Sequence, residues 1–202
     1  MDYAHGRDLL GVSAQVPIAD SCRAHTVWKV ERWGEYDTQF LTRELGYEPK
    51  ADDFRSAGIE PYLVTGVVGN LITNAGWTRL MNLLTNQSAT QALDATHARI
   101  GVGNSNTAEA YTDTDLGASA GSTNRWFQLV TGAGTLGTRT LAFAASFASA
   151  DGNFAWNEFG LDFGTASSNA VTAPLFNHKA GIAQGTKALG QVWAATATIT
   201  FS

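Results

Sequence analysis

Along the chain the spacing of apolar side chains passes from irregular to helical to alternating, and these changes mark three regions. Up to about residue 62 no period is sustained. Thr26-Val27-Trp28-Lys29-Val30-Glu31-Arg32-Trp33 alternates briefly, Thr38 to Leu45 predicts a short helix ending at Gly46, and Pro17, Pro49 and Pro61 punctuate the rest. Between Asn70 and Asn86, Trp77, Leu80, Met81 and Leu84 recur on one helical face. Thr73 or Asn74 stands where a side-chain oxygen can accept an early backbone N–H bond. This predicts a helix near 73–85 with its stripe packed on a core.

From residue 97 the period is two. Leu141, Phe143, Ala145 and Phe147 alternate with Ala142, Ala144, Ser146 and Ala148. Ala155, Asn157, Phe159, Leu161 and Phe163 alternate with Trp156, Glu158, Gly160 and Asp162. Near the end Trp193, Ala195, Ala197, Ile199 and Phe201 share one side. Such alternation buries one face of a sheet, and turn signals such as Asp151-Gly152-Asn153 favour antiparallel neighbours. The expected fold is mainly β: an antiparallel β sandwich, jelly-roll-like, over residues 63–202, with one helix near 73–85. Residues 1–62 are expected to be an extended N-terminal arm preceding it.

That first region nevertheless carries Trp28, Trp33, Tyr36, Phe40, Tyr47 and Phe54, too many aromatics for a solvated tail. Large apolar groups on an irregular chain need a surface to bury against, so these six are candidate interface residues, pressed either on the chain's own β domain or on another subunit.

Charge sharpens the contrast. Residues 1–60 hold seven basic and eleven acidic side chains, the remainder only six and seven. A free-standing domain usually has about a quarter or more of its surface residues charged. The later region falls below that, which suggests an outside that faces neighbouring subunits. A net charge of −5 argues against nucleic acid and against an anionic membrane surface, because both need clustered Lys and Arg. The single cysteine, Cys22, excludes an intrachain disulfide. No membrane span or secretion signal is expected, which implies assembly in the cytoplasm of the producing cell.

Candidate chemistry is sparse. Gly132-Ala133-Gly134-Thr135-Leu136-Gly137 matches a dinucleotide fingerprint, yet a strand rather than a helix is predicted to follow, so the glycines read as a hairpin turn. His5, His25, His97 and His178 make no two-ligand spacing, although His97 and His178 could meet in space. Asp113 and Asp115 could face one Ca²⁺ in extended chain but read more simply as turn residues. Glu158 stands among apolar neighbours, where Lys179 or Arg139 could serve as its partner. No nucleophile elbow is present. The expectation is no enzyme, no metal and no cofactor.

Several segments, in order, resemble tailed-bacteriophage virion proteins. They are Gly69-Asn70-Leu71-Ile72-Thr73-Asn74-Ala75-Gly76; Ala98-Arg99-Ile100-Gly101-Val102-Gly103-Asn104-Ser105-Asn106-Thr107-Ala108, followed by Thr112-Asp113-Thr114-Asp115-Leu116; Phe154-Ala155-Trp156-Asn157-Glu158-Phe159-Gly160-Leu161; Leu175-Phe176-Asn177-His178-Lys179; and Gly185-Thr186-Lys187 through Val192-Trp193 to Ile199-Thr200-Phe201. The Glu158 and His178 pieces also resemble segments of tail-collar fibre proteins. The resemblance covers about residues 60–202 and implies a capsid decoration (cement) protein, located in the virion. Its partners would be the major capsid protein or tail proteins of the same virion, together with further copies of itself as a trimer or dimer. A tail component (collar, baseplate or fibre base) is the alternative. Outside that class stands a carbohydrate-binding module, with Trp126, Trp156 and Trp193 as candidate platforms.

Overall fold

The computed structural model describes residues 24–87, 92, 94, 96–132 and 135–202. Among these residues ten strands and three helices appear in the order β1 (Ala24–Trp33), α1 (Glu35–Leu45), α2 (Ala51–Ser56), β2 (Leu63–Val68), β3 (Leu71–Ile72), α3 (Asn74–Leu84), β4 (Arg99–Gly103), β5 (Arg125–Leu129), β6 (Thr135–Leu136), β7 (Thr140–Phe147), β8 (Glu158–Asp162), β9 (Asn177–Ala180) and β10 (Val192–Phe201). They form two antiparallel five-stranded sheets, one ordered β2-β1-β10-β7-β6 (sheet A), the other β3-β9-β8-β4-β5 (sheet B). The protein is a β sandwich.

The alternating strands account for the layer between the sheets. Phe143, Ala145 and Phe147 of β7 and Trp193, Ala195, Ala197 and Ile199 of β10 bury against Ile100, Val102, Phe159 and Leu161 of sheet B. Edge-to-face aromatic contacts bind this layer: Trp156 meets Trp193 at 4.8 Å and Phe147 at 4.7 Å between ring centroids. After Gly132, β6 returns into β7 as a hairpin, so the glycine-rich segment leads into a strand and not into a phosphate-binding helix.

The division expected at residue 62 does not hold for the described residues. Residues 24–62 belong to the sandwich, and β1 lies inside sheet A. It pairs with β10 over its whole length, from Ala24 opposite Phe201 to Trp33 opposite Val192, and with β2 on its other side. The arm expected over residues 1–62 is therefore corrected over residues 24–62, and its first part, residues 1–23, lies outside the described residues. The brief alternation from Thr26 belonged to a real strand. It fades at Glu31-Arg32-Trp33 because both faces are buried there: Arg32 points between the sheets over the Trp193 ring, while Trp33 points outward beneath α2.

Among the described residues there are three helices: α1 contains the short helix expected at Thr38 to Leu45 and ends at Gly46 as anticipated, α2 was not expected, and both come from the region assigned to the arm. The third, α3, starts as anticipated, with the Thr73 hydroxyl accepting the Gly76 N–H at 2.9 Å. Its apolar stripe is a correction. Its first turn is pressed on the sandwich, where Gly76 passes so close that a Cβ would lie 2.1 Å from the Phe176 carbonyl oxygen, and Arg79 in the next turn lies over the Phe163 ring at 3.5 Å. Trp77 is half-buried at the core edge, but Met81 and Leu84 face outward, Leu84 being 72% exposed. Among the described residues no helix is long and apolar enough to cross a membrane.

Candidate docking surface and its buried supports

Between β1 and β2 the chain leaves sheet A, forms α1 and α2, and lays them over the outer face of that sheet. Gly34 sets the turn, and Glu35 and Asp37 place negative charge at the helix N-terminus, where the dipole favours it. Gly46 ends α1 in the left-handed conformation at φ 75°, donating to the Thr42 carbonyl. The α1 face carrying Thr38 and Leu41 turns inward. Leu41, Ala51 and Phe54 bury with Trp33, Val192 and Ala194 in a second, outer core.

Trp33 and Phe54 stack with centroids 5.0 Å apart and planes 18° apart, and the Trp33 Nε1–H donates to the Ile59 carbonyl at 2.9 Å. The Ala51 N–H donates to Ser146 Oγ at 3.1 Å, and Asp53 accepts the Lys50 N–H at 2.8 Å. The insertion is thus fixed to the sheet by both packing and hydrogen bonds.

Its opposite face is open. Tyr36 and Phe40, one turn apart on α1, and Tyr47 beyond its end are 78%, 43% and 53% exposed. The Tyr47 hydroxyl donates to Asp53 at 3.0 Å, and that bond raises its pKa above 10.0. Beside them runs a groove of ≈ 540 Å³ lined by Thr38, Gln39, Thr42, Arg43, Glu48, Ser149 and Gly190. Glu48 bridges its two walls, accepting the Ser149 N–H at 2.7 Å. Beneath the rim Lys187 is fully buried, its ammonium donating to the Ala148 carbonyl at 2.7 Å and to Asn153 Oδ1 at 2.8 Å. Burial pushes its pKa down to about 8.

Of the six interface candidates, the structure splits three from three. Trp28, Trp33 and Phe54 are intrachain core, with no area left for a partner. Tyr36, Phe40 and Tyr47 remain on the surface. Sequence reading missed the groove because its walls come from residues 38–48, 149 and 190; the signal available was the Gly46 helix stop followed by Pro49, which forces the chain to turn there.

The outer face of sheet B is closed by loops instead, and charge holds them down. Arg99 on β4 and Asp162 on β8 make a fully buried bidentate pair, with Nε to Oδ1 at 2.8 Å. The remaining Arg99 donors reach the Ala166 carbonyl at 2.9 Å, Ser168 Oγ at 3.1 Å and the Ala170 carbonyl at 3.1 Å. Arg125 on β5 binds Asp115 and the Asn169 carbonyl. His178 on β9 lies between two carboxylates, Asp113 on Nδ1 at 2.7 Å and Glu158 on Nε2 at 2.9 Å. Glu158 also accepts the N–H groups of Gly117 and Ala118 at 2.7 and 2.8 Å. Gly103 makes room, since a Cβ there would lie 2.2 Å from Glu158 Oε1.

These contacts correct one expectation and decide two open alternatives. The partner of Glu158 is His178; Lys179 pairs with Glu109 at 2.9 Å instead. His97 and His178 have separate partners, Asp94 for the former at 2.8 Å. Asp113 and Asp115 are committed to His178 and Arg125. With both ring nitrogens of His178 occupied, the trio is a clamp and offers no free base. Among the described residues no group of three His, Cys, Asp or Glu side chains is arranged to hold a metal ion.

Trp156 and Trp193 are core residues, and half-buried Trp126 bonds Gln128 at 2.9 Å, so these three do not make a flat platform for a sugar. No family model, curated protein or solved structure matches the chain.

Proposed function

We propose that this protein is a structural component of a tailed-phage virion, a capsid decoration protein that docks on the shell through the open face of α1 and the adjoining groove. The observation that carries the reading is the exposure of Tyr36, Phe40 and Tyr47 on an insertion whose other side is locked to sheet A by the Trp33–Phe54 stack. Aromatic side chains presented from a rigid support lose little freedom on binding and make effective anchors. A subunit that must add strength to a shell needs that rigidity.

The segments that resemble virion proteins support the same reading. They fall on the interlocked part of the fold: the Thr73 cap and the Phe176 carbonyl that Gly76 touches, β4 with Arg99, β8 with Glu158 and β9 with His178. They specify a scaffold and leave the docking face to the α1–α2 insertion.

The test is co-sedimentation of the purified chain with capsids that lack it. Saturable binding that stiffens the shell against heat or low salt supports the proposal. Binding to isolated tails and not to capsids would transfer the function to a tail component. Binding to neither would remove the virion reading altogether.

A further inference from the structure

A two-sheet sandwich has four edges, and three of them here are short or covered. β6 and β3 are two residues long. The outer edge of β5 is occupied by the 164–170 loop, with Phe127 and Ser168 exchanging N–H bonds to each other's carbonyls at 2.8 and 3.0 Å and Leu129 N–H reaching Ser167 Oγ at 3.0 Å. The fourth edge is β2, Leu63-Val64-Thr65-Gly66-Val67-Val68. It contains no charged residue, and proteins usually protect such an edge with Lys, Pro, a bulge or a covering loop.

The register shows which backbone groups lie on the open side. Gly69 N–H bonds the Thr26 carbonyl at 2.9 Å, and Val67 and Thr65 face Trp28 and Val30 two and four residues further on. In an antiparallel pair the bonded positions alternate, so the N–H and C=O groups of Val64, Gly66 and Val68 point away from β1. Among the described residues no hydrogen bond outside the sheet reaches them. Val64 and Val68 are also exposed on their side chains, Val68 by 70%.

We infer that the β2 edge is a homodimer interface, in which β2 of a second copy pairs antiparallel about a twofold axis at Gly66. The choice of occupant follows from self-complementarity. With the axis at Gly66, Gly66 meets Gly66 of the second copy and Val64 meets Val68 of the second copy, so all three free positions on each strand find a bonded partner. An axis at Thr65 would leave Val68 unpaired. Matching valines meet on one face, and the glycines at the centre let the backbones close without a side-chain clash. No like charges meet along the edge. The contact is isologous and closes at two copies, which selects the dimer over the trimer. This inference does not depend on the virion reading.

Gly66 also gives the test. A Cβ at this position would lie 3.8 Å from the Trp28 carbonyl oxygen, an ordinary contact, so the monomer has room for a side chain there. The full chain, measured by light scattering coupled to size exclusion, is expected at twice 21.4 kDa. Gly66→Pro removes the central N–H, and Val64→Lys/Val68→Lys sets four ammonium groups along the edge; each should weaken dimerisation by about 100-fold or more. Gly66→Cys in a Cys22→Ser background should join two copies when treated with a short bifunctional thiol cross-linker, because opposed bonded residues have Cα atoms about 5.5 Å apart.

A monomeric full chain, a trimer, or a dimer that survives both edge variants while they remain folded would overturn the inference. So would failure of the Gly66→Cys variant to cross-link two copies. Gly66→Cys with Cys22 retained gives a further check. A monomer in which Cys22 is bonded to the introduced thiol would assign the edge to residues 1–23 of the same chain and overturn the inference too.

Discussion

Trp28 of sheet A and Phe159 of sheet B lie face to face across the sandwich, with ring centroids 4.8 Å apart and planes 17° apart. One residue comes from the region read as an extended arm, the other from one of the strands whose alternation the sequence showed. Their stack makes the first strand inseparable from the fold. Trp28→Ala should therefore cost about 3–5 kcal/mol of stability, the range for emptying a large aromatic site in a core. Urea unfolding would read this as a lower midpoint at unchanged slope. A loss under about 1 kcal/mol would mean that β1 is only loosely attached.

The Arg99–Asp162 pair anchors the loop over sheet B. Removing one partner leaves the other charged and buried, which costs about 3–5 kcal/mol. Arg99→Met and Asp162→Leu should each show that loss, and the double variant should lose much less than their sum. Arg99→Lys should rescue little, because an ammonium cannot supply the planar fork that reaches Asp162 and the loop carbonyls together. A double-mutant cycle that adds simply would show that the pair is not coupled.

How much of this was legible depended on whether one face of each strand stayed wet. β7 and β10 alternate plainly because parts of their outer faces meet solvent, and α1 and α3 announced themselves through Gly46 and Thr73. β1 did not, because α2 covers its outer face at Trp33 and turns a two-residue rhythm into a run of buried positions. The outer face of β8 was harder still. Asp162 looks like a surface residue in a strand, Glu158 suggested Lys179 or Arg139 as its partner, and the actual partners Arg99 and His178 come from elsewhere in the chain. No local pattern announces such a pairing. For the docking surface, aromatic content pointed to the right region, but only folding could separate Trp28, Trp33 and Phe54 from Tyr36, Phe40 and Tyr47.

The His178 clamp gives a pH dependence with a definite sign. Burial opposes its charge, but the Glu158 and Asp113 carboxylates on the two ring nitrogens outweigh burial and hold its pKa above 6.5. A raised folded-state pKa means that the stabilisation is fully present below the unfolded value of about 6.5 and is lost as pH rises through the folded one. The stability advantage of the native chain over His178→Gln should be greatest at mildly acidic pH and should shrink as pH climbs beyond that value. Thermal melts of both proteins across that range would show it. An advantage that grows with pH would contradict the charged clamp.

Lys187 should behave in the opposite way. Its depressed pKa of about 8 means that the folded protein releases its proton before the unfolded chain does. Stability attributable to this residue should rise between pH 8 and the ordinary lysine value of 10.5. Comparing the native chain with Lys187→Met over that interval isolates the effect. A flat difference would indicate an ammonium more solvated than its buried position implies.

Tyr36→Ala and Phe40→Ala should leave stability within about 0.5 kcal/mol, since both side chains are exposed. If α1 carries the docking contact, each should weaken capsid binding by about tenfold or more, the effect of truncating an anchor worth about 1.4 kcal/mol. Phe54→Ala reverses the pattern, with a large loss of stability. Variants at Tyr36 and Phe40 that bind at full strength would move the docking face elsewhere on the sandwich.

The central claim is a place on the capsid shell, and copy number tests it most directly. Isotope-standardised mass spectrometry of purified particles, referenced to the major capsid protein, should find this chain at a fixed stoichiometry with that protein, in the hundreds per particle. A dozen copies or fewer would contradict a decoration role and place the chain in the tail, and its absence from particles would contradict a virion role of any kind.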